Sequence, residues 1–286
     1  MPLNEIVVVG SLHYDIFLES PALPRIGETV KGNSWYPKLG GKGGNQAISA
    51  SLHSVPIKLI SAVGKDDFSK FILENLNKKN INTKYVQCLD NYNSGMSVAI
   101  SNKDGDYGAV IVSGANLNIN INMLNDQSFW TNVEILMLQN EINENTNIQA
   151  AKKAKEYGIK VFYNAAPAKK INSDLYKLLD ILLVNTIEAQ DILQRKITDL
   201  KDIRNASKIL SQKIPIAIIS AGENGVVFCE KNKEPIHFEG LKVKVKSTHG
   251  AGDTFAGTFC ASLALGKEIE ESIKIANQKA AEFISS

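Results

Sequence analysis

Ile6-Val7-Val8-Val9-Gly10, near the start of the chain, is a run of branched apolar residues that ends at a glycine. A strand that is apolar on both faces is typical of a parallel sheet covered by helices on each side. Segments with apolar residues at helical spacing follow, including 68–76, 148–157 and 200–210. They alternate with further strand-like runs at 57–63, 133–138, 159–163, 181–184 and 216–220. This alternation predicts an α/β fold with a doubly wound, mostly parallel sheet flanked by helices.

Two segments, 12–40 and 94–113, interrupt the alternation. Residues 94–113 contain two β-rich runs on either side of Asn102-Lys103-Asp104-Gly105-Asp106, which is typical of a hairpin turn. Residues 12–40 show no helical spacing. Either the two segments form a small β-sheet lid over a site, or they decorate an edge of the main sheet. We expect a single domain over residues 1–286, with a lid formed by approximately 12–40 and 94–113.

The composition excludes several classes of protein. Of the 286 residues, 44% are hydrophobic and 22% are charged, a balance typical of a globular protein with a substantial core. The formal net charge of +2 provides no broad basic surface for nucleic acid or anionic membranes. No apolar stretch approaches ~18 residues, and the three cysteines lie far apart without metal-binding spacing. We therefore expect a cytoplasmic protein with reduced cysteines and neither a nucleic-acid nor a membrane partner.

The segment Thr248-His249-Gly250-Ala251-Gly252-Asp253-Thr254-Phe255-Ala256-Gly257 places two glycines and a carboxylate before an apolar helical run. Glycines let the backbone approach a ligand closely, and amides at a helix N-terminus favour an anion. Backbone binding of anions also suits a chain with only three arginines. Asp253 either accepts a proton from an attacking hydroxyl group or is a plain N-cap. The segment matches neither a Walker A loop nor the dinucleotide-binding G-x-G-x-x-G pattern, which argues against a Rossmann oxidoreductase.

Two further segments are candidates for ligand binding. Residues 40–44 contain four glycines and one lysine, and a helix-compatible run follows at 45–52. These glycines indicate either an unusual backbone near a ligand or a flexible turn. Asn185 and Glu188 follow the predicted strand 181–184 and share one face of a helix start. They are either ligands of a hydrated Mg²⁺ beside phosphate groups or a helix cap with a first-turn acid.

Together, these segments resemble the two signatures of the ribokinase-like (PfkB) carbohydrate kinases. Gly-Gly-Lys-Gly-x-Asn-Gln-Ala occupies residues 40–47, and Gly-Ala-Gly-Asp-Thr-Phe-x-Gly occupies residues 250–257. The resemblance runs from residue 6 to about residue 283 and is greatest to the ribokinases within the family. Shorter motifs occur in order along the chain: Val9-Gly10-Ser11-x-x-x-Asp15, Gly27-Glu28-Thr29, Asn164-Ala165-Ala166-Pro167-Ala168, Asn185-x-x-Glu188 and Gly222-x-x-Gly225.

The resemblance implies an ATP-dependent kinase that transfers the γ-phosphate to a primary hydroxyl of a small sugar, with ribose or a related pentose as the expected substrate. Asp253 would be the general base. The amides of Gly250, Ala251 and Gly252 would form the anion hole for the transferred phosphoryl group. The resemblance also implies a homodimer formed through the β-sheet lid, which would close over the site and exclude water.

The resemblance further implies which residues bind each ligand. The positions that match sugar-contacting residues are His13, Asp15, Gly41, Lys42, Asn45 and Glu141. The positions that match the ATP site are Asn185, Ser220, Gly222, Gly225 and Asn277. Asn185 and Glu188 match the motif that binds Mg²⁺ next to the phosphates.

The sequence departs from the ribokinase pattern at several positions. Ribokinases usually have Asn where this chain has His13, so this residue either changes the sugar contact or packs under the lid. Ser247 stands where ribokinases have an Asp that helps to hold an activating K⁺. The chain also ends at Ser286, where the family normally continues into further K⁺ ligands, so the resemblance gives no secure expectation of K⁺ activation. His249 is expected on the nucleotide side, as a packing or capping residue.

Other functions remain open at this point. A nucleoside-type kinase, such as one for pseudouridine, and a fructose-type kinase share the same scaffold. A catalytically weak protein that binds sugar or nucleotide is a third alternative. Asp253 together with both glycines argues against the third, because a binding protein needs no general base.

Overall fold

The computed structural model describes residues 4–102 and 107–286. Its strands form two separate sheets, which we call the central sheet and the small sheet. Within the described residues the strands are β1 (Glu5–Val9), β2 (His13–Glu19), β3 (Ser34–Gly40), β4 (Ile57–Gly64), β5 (Val86–Leu89), β6 (Gly95–Ser101), β7 (Tyr107–Val112), β8 (Val133–Gln139), β9 (Lys160–Asn164), β10 (Ile181–Asn185), β11 (Ile216–Ser220), β12 (Val226–Glu230) and β13 (Ile236–Phe238).

The helices connect these strands and cover the central sheet. In the described part of the chain, none of them is both long and apolar enough to cross a lipid bilayer. The helices are α1 (Lys42–Ser51), α2 (Asp67–Lys78), α3 (Glu144–Glu156), α4 (Ser173–Tyr176), α5 (Thr186–Leu193), α6 (Leu200–Ser211), α7 (Ala251–Ala264) and α8 (Ile269–Ser285).

The central sheet has the order β13-β12-β11-β10-β9-β8-β1-β4-β5. Every pair from β11 to β5 is parallel, whereas β12 and β13 are added antiparallel at one edge. The prediction of a mostly parallel sheet flanked by helices is confirmed. Because the parallel strands point the same way, their carboxyl ends meet along one edge of the sheet, where α/β proteins bind ligands.

The apolar run in β1 is explained by two hydrophobic cores, one on each face of the central sheet. Ile6 and Val8 lie in the core that α1, α2, α7 and α8 complete. Val7 and Val9 lie in the core on the opposite face, which includes α3 and α6. Successive strand residues point to opposite faces, so a strand between two cores must be apolar at every position.

The small sheet has the order β3-β2-β6-β7, and it is built from the two segments that interrupt the helix–strand alternation. The predicted hairpin strands β6 and β7 pair antiparallel, from Met96 opposite Val112 to Ser101 opposite Tyr107. The turn predicted between them falls largely on residues 103–106, outside the described residues. β2 joins the two segments by pairing in parallel with β6. Their function as a lid stays a prediction.

Several elements were not predicted from the sequence. These are the edge strands β5 and β13, the antiparallel strand β12 next to β13, the short helix α4, the last helix α8, and short 3₁₀ helices within residues 114–130 and at Gly222–Asn224. Edge strands are short, and only one neighbour stabilises them, so their sequence patterns are weak. Residues 240–250 form no regular helix or strand, and they lead directly into α7 beside the site.

Candidate active site

The predicted site residues gather at the carboxyl edge of the central sheet. Residues 10–11 follow β1, residues 139–141 end β8 and follow it, and Asn185 and Ser220 end β10 and β11. The first turns of α1 and α7 meet at the same edge, because these two helices pack against each other. Segments from the two ends of the chain, such as residues 10–11 and the start of α7 at Ala251, are thereby brought together.

Asp253 lies in the first turn of α7 and is only 6% exposed. It is not the N-cap that the sequence left as an alternative, because that position is occupied by Gly250. The carboxylate is turned instead towards α1. Its Oδ1 accepts a hydrogen bond from Gln46 Nε2 at 2.9 Å, and its Oδ2 accepts one from Asn45 Nδ2 at 3.3 Å.

Gly250 begins α7 in a left-handed conformation, with φ of +89°, which strongly favours glycine over other residues. The Ala251 amide makes a long hydrogen bond of 3.3 Å to the carbonyl of Thr248. A methyl group built on Gly252 would meet nothing within 4 Å, so there is open space next to this residue. The start of α7 therefore combines backbone amides, the positive end of the helix dipole and room for an anion.

The glycines within residues 40–44 are needed for close packing between α1 and β1, and they do not form a flexible turn. α1 begins at Lys42, three residues before the predicted run, so Gly43 is already helical. A methyl group on Gly43 would lie 2.5 Å from the carbonyl carbon of Gly10, at the end of β1. Gly41 precedes the helix with φ of +85°. The glycines therefore let the N-terminus of α1 contact the end of β1.

Glu141 links the end of β8 to the start of α1. Its Oε2 accepts hydrogen bonds from Ser11 Oγ at 2.5 Å and from the Lys42 amide at 2.9 Å. A carboxylate at a helix N-terminus is stabilised by the free amides and by the helix dipole. Glu141 and Lys42, both predicted to bind sugar, are therefore in direct contact.

Asp15, on β2 of the small sheet, is 5% exposed. Burial raises the pKa of this carboxyl group, although Ser97 Oγ donates a 2.5 Å hydrogen bond to it and the charges of His13 and His249 favour ionisation. Its Oδ2 would be 1.8 Å from a methyl group on Gly40, so only glycine leaves room there. Asp15 is therefore a buried acceptor on the small sheet, held in place by the Ser97 hydroxyl group.

The two histidines of this region differ in environment. His13 is 2% exposed, and in the described part of the protein its buried Nε2 has no hydrogen-bond partner. His249 is exposed and packs edge-on against the ring of Phe17, with centroids 5.3 Å apart. The expectation that His249 faces the nucleotide side is wrong. The loop before α7 bends towards the small sheet and places His249 near Asp15.

Asn185 and Glu188 form a capping box at the start of α5. The Glu188 amide donates to Asn185 Oδ1, and the Asn185 amide donates to Glu188 Oε2, both at 2.8 Å. Burial raises the pKa of Glu188, with a smaller raising effect from Asp253 and an opposing one from Lys42. The helix cap is thus present, and it aims the carboxylate at the Lys42 and Asp253 side of the site.

A cavity of about 430 Å³ lies on the other side of the α7 N-terminus. Its size falls within the range of small-molecule sites. The exposed apolar residues Leu241, Val243 and Val245 contribute to one wall. Its lining includes four of the five residues predicted for the ATP site, together with two of the predicted anion-hole residues: Ser220, Gly222, Gly225, Asn277, Ala251 and Gly252.

Sequence reasoning missed three residues that contact predicted site residues. Ser11 donates to Glu141, Ser97 donates to Asp15, and Gln46 donates to Asp253. Ser11 and Gln46 lie inside the motifs quoted from the sequence, so their positions could have identified them as candidate site residues. Nothing in the sequence around Ser97 indicates its contact, because that contact depends on the pairing of β2 with β6.

A buried carboxylate beside helix-terminal amides, with polar residues of α1 on one side and a cavity of about 430 Å³ on the other, is typical of enzymes that transfer an anionic group to a small polar acceptor. Residues 3–286 match the model of the pfkB family carbohydrate kinases. The chain belongs to this family and is a carbohydrate kinase, a phosphotransferase with an alcohol group as acceptor.

Individual relatives agree with this assignment. The chain is 33% identical to a ribokinase of Dictyostelium discoideum over 97% of its own length and 93% of that protein. It is 32% identical to a ribokinase of Lactococcus lactis over 96% of this chain and 88% of that one. The structure of the Arabidopsis thaliana ribokinase complexed with ribose and ATP superposes with a TM-score of 0.92, at 28% identity, covering 100% of this chain and 94% of that one.

Proposed function

We propose that the protein transfers the γ-phosphoryl group of ATP to a primary hydroxyl of ribose or a closely related pentose. The observation that carries the proposal is the position of Asp253, with the polar residues of the small sheet and α1 on one side and the 430 Å³ cavity on the other. The ribokinases among its relatives, including one whose structure contains ribose and ATP, support the choice of both substrates.

In the proposed mechanism, Asp253 accepts the proton of the sugar hydroxyl as the hydroxyl oxygen attacks the γ-phosphorus. The bond between the γ-phosphorus and the β,γ-bridging oxygen breaks, and ADP leaves with that oxygen. The two hydrogen bonds from α1 hold the carboxylate while its side chain stays almost fully buried. The amides of Gly250, Ala251 and Gly252 face the negative charge that develops on the transferred phosphoryl group. The adenosine part of ATP occupies the cavity lined by Ser220, Gly222, Gly225 and Asn277.

The sugar is proposed to bind between α1 and the small sheet. Asp15, Asn45 and Glu141 provide acceptors and donors for its hydroxyl groups, and Gly41 and Lys42 form the adjacent wall. His13 is the first residue of β2 and stands where ribokinases usually have asparagine. Among the described residues its buried Nε2 has no hydrogen-bond partner, so His13 is the residue to test for a change of sugar preference. The small sheet acts as a lid that keeps water, a competing acceptor, away from the phosphoryl group.

Asn185 and Glu188 are proposed to hold Mg²⁺ next to the phosphates of ATP. Mg²⁺ prefers one or two protein oxygen ligands together with waters and phosphate oxygens. The two side chains suit that pattern, because the capping box uses only one Glu188 oxygen and the carboxyl group is close enough to Lys42 and Asp253 to be influenced by their charges. When bound, the ion would supply charge neutralisation at the phosphates.

We further propose that two copies of the chain associate through the small sheet. Its strands carry several large apolar side chains that solvent can reach, and Val110 is the most exposed of them at 68%. Such a concentration of apolar surface on one sheet marks an interaction site. The residues are Trp35, Tyr36, Val110, Ile111 and Val112.

The proposed function is tested by measuring ADP release from Mg·ATP with a panel of acceptors. The panel contains ribose, deoxyribose, fructose, adenosine and pseudouridine, each with and without K⁺. We expect turnover to be highest with ribose or another pentose. Highest turnover with a nucleoside or with fructose would overturn the pentose assignment, and ATP binding without turnover on any acceptor would favour a binding protein.

Replacement of Glu188 by Gln is expected to raise the Mg²⁺ concentration needed for half-maximal activity. The substitution keeps the shape and a capping acceptor but removes the charge that attracts the cation. A titration of activity against Mg²⁺ at saturating ATP measures the shift. The matched control is Glu144→Gln, a first-turn acid of α3 outside the site. Equal Mg²⁺ titrations for the two variants would remove Glu188 from the metal site.

Replacement of Asp15 by Asn is expected to weaken sugar binding without destabilising the fold. Hydrogen bonds to a charged acceptor contribute about 1.5–3 kcal/mol, so the KM for sugar should rise roughly 10–100-fold. The raised pKa means that the folded state binds this proton more tightly than the unfolded state, so the stability contributed by this group falls as pH rises through the interval above 3.8. The Asn variant should therefore melt at the same temperature or higher at neutral pH. A lower melting temperature with unchanged KM would contradict both assignments.

A further inference from the structure

Behind Asp253 lies a chain of two buried amide side chains. Gln46 Nε2 donates to Asp253 Oδ1 at 2.9 Å, and Gln139 Nε2 donates to Gln46 Oε1 at 3.0 Å. Both glutamines have no exposed surface. This series of hydrogen bonds therefore runs from the end of β8, through the first turns of α1, to the carboxylate on α7.

The direction of the hydrogen bonds follows from the carboxylate. An ionised carboxylate only accepts hydrogen bonds, so the NH₂ end of Gln46 must face Asp253. The oxygen of Gln46 then faces Gln139, which must present its own NH₂ group in turn. Both amide orientations are thus determined by the accepting oxygen of Asp253 at the end of the series.

The surroundings of Gln139 favour a role in orienting Gln46 over a purely structural role. Its Oε1 is buried and, among the described residues, has no hydrogen-bond partner, an arrangement that disfavours folding. The side chain passes directly over Gly10, where a methyl group would lie 2.0 Å from Oε1. A core selected only for stability would place an apolar side chain there.

We propose that Gln46, oriented by Gln139, is a positioning residue that holds the Asp253 carboxylate in line with the sugar hydroxyl. The proposal rests on the proposed function, in which Asp253 is the general base. Asn45 contacts the other carboxylate oxygen at the longer distance of 3.3 Å and is assigned to the sugar. Gln46 is fully buried and makes the shorter contact, so it is the group that determines where the carboxylate lies.

The first experiment replaces Gln46 by Met, which has nearly the same length but no amide. We expect kcat to fall about 10–100-fold, the usual consequence of misplacing a catalytic group by about 1 Å. The KM values for sugar and ATP should stay within about twofold, because Gln46 contacts neither ligand in the proposed mechanism. Ser49→Ala is the matched control, since Ser49 also joins α1 to α7 through a hydrogen bond to the Thr254 carbonyl.

The second experiment introduces Gln46→Met into the Asp253→Asn variant and measures residual turnover with radiolabelled ATP. If Gln46 acts through Asp253, the substitution has little further effect once the base is absent. An equal loss in both backgrounds, or equal losses for Gln46→Met and Ser49→Ala, would overturn the positioning role and leave the proposed function intact. Full turnover of Asp253→Asn alone would overturn the general base, and the positioning role with it.

Discussion

Asp253→Asn is expected to lower kcat by roughly 10²–10⁴-fold, the range typical for removal of a general base. An amide has almost the shape of a carboxylate, and its one oxygen can still accept from Gln46. The NH₂ group loses the contact with Asn45 Nδ2, so the loss reflects the missing proton acceptor together with this one longer hydrogen bond. Because Asp253 faces α1 and is not among the residues that line the 430 Å³ cavity, ATP binding in that cavity should change little. The expected result is a protein that binds ATP normally and turns over very slowly.

The measurement combines steady-state ADP release with a direct titration of ATP binding by calorimetry. Asp191→Asn is the control, because Asp191 is an exposed carboxylate on α5, close enough to influence Glu188 but without a part in the proposed site. The control variant should keep its turnover. Near wild-type kcat for Asp253→Asn would remove this residue from the chemical step.

Gly257→Ala is expected to lower the free energy of unfolding by about 3 kcal/mol, at the upper end of the usual range for overpacked sites. A methyl group on Gly257 would lie 2.5 Å from the Gln46 carbonyl oxygen, 2.5 Å from Ser49 Cβ and 2.8 Å from the Ala50 amide nitrogen. Two of these atoms belong to the backbone of α1, so no side-chain rotation relieves the clash. The two helices must separate, at the point where Gln46 reaches Asp253.

Thermal and urea unfolding measure this effect, which should lower the melting temperature by roughly 5–10 °C. Gly252→Ala is the matched control for stability, since it makes the same substitution on the same helix with no atom within 4 Å of the added methyl group. The control should unfold at the same temperature as the unchanged protein or higher, because alanine is the better helix former. Equal melting temperatures for the two variants would show that α1 and α7 are not tightly packed.

Local patterns predicted the central fold well and its edges poorly. The interior strands were recognised because strands covered on both faces must be apolar at every position, as Ile6-Val7-Val8-Val9 shows. β13, with only three residues, lacks such a pattern. The helical spacing at 68–76 predicted α2, which the structure places at Asp67–Lys78.

The candidate site likewise contains features that the sequence predicted and features that it did not. Gly250 was recognised in the sequence because a helix start that binds an anion needs an unusual backbone, and its φ of +89° agrees. The glycines at 43 and 44 were recognised as unusual, but their purpose was open until α1 was seen to begin at Lys42 against β1. The position of His249 was predicted on the wrong side, since the irregular loop before α7 has no repeating pattern from which to infer its path.

By itself, the sequence determined the α/β class, the family and the two glycine-rich segments of the candidate site, because glycine placement and apolar runs are local properties of the chain. Only the tertiary structure decided which side chains meet. Gln46 and Asp253 lie 207 positions apart, and Ser97 and Asp15 lie 82 apart. Such contacts depend on the order in which strands pair and on how closely α1 approaches α7. These are properties of the packed molecule that no single segment encodes.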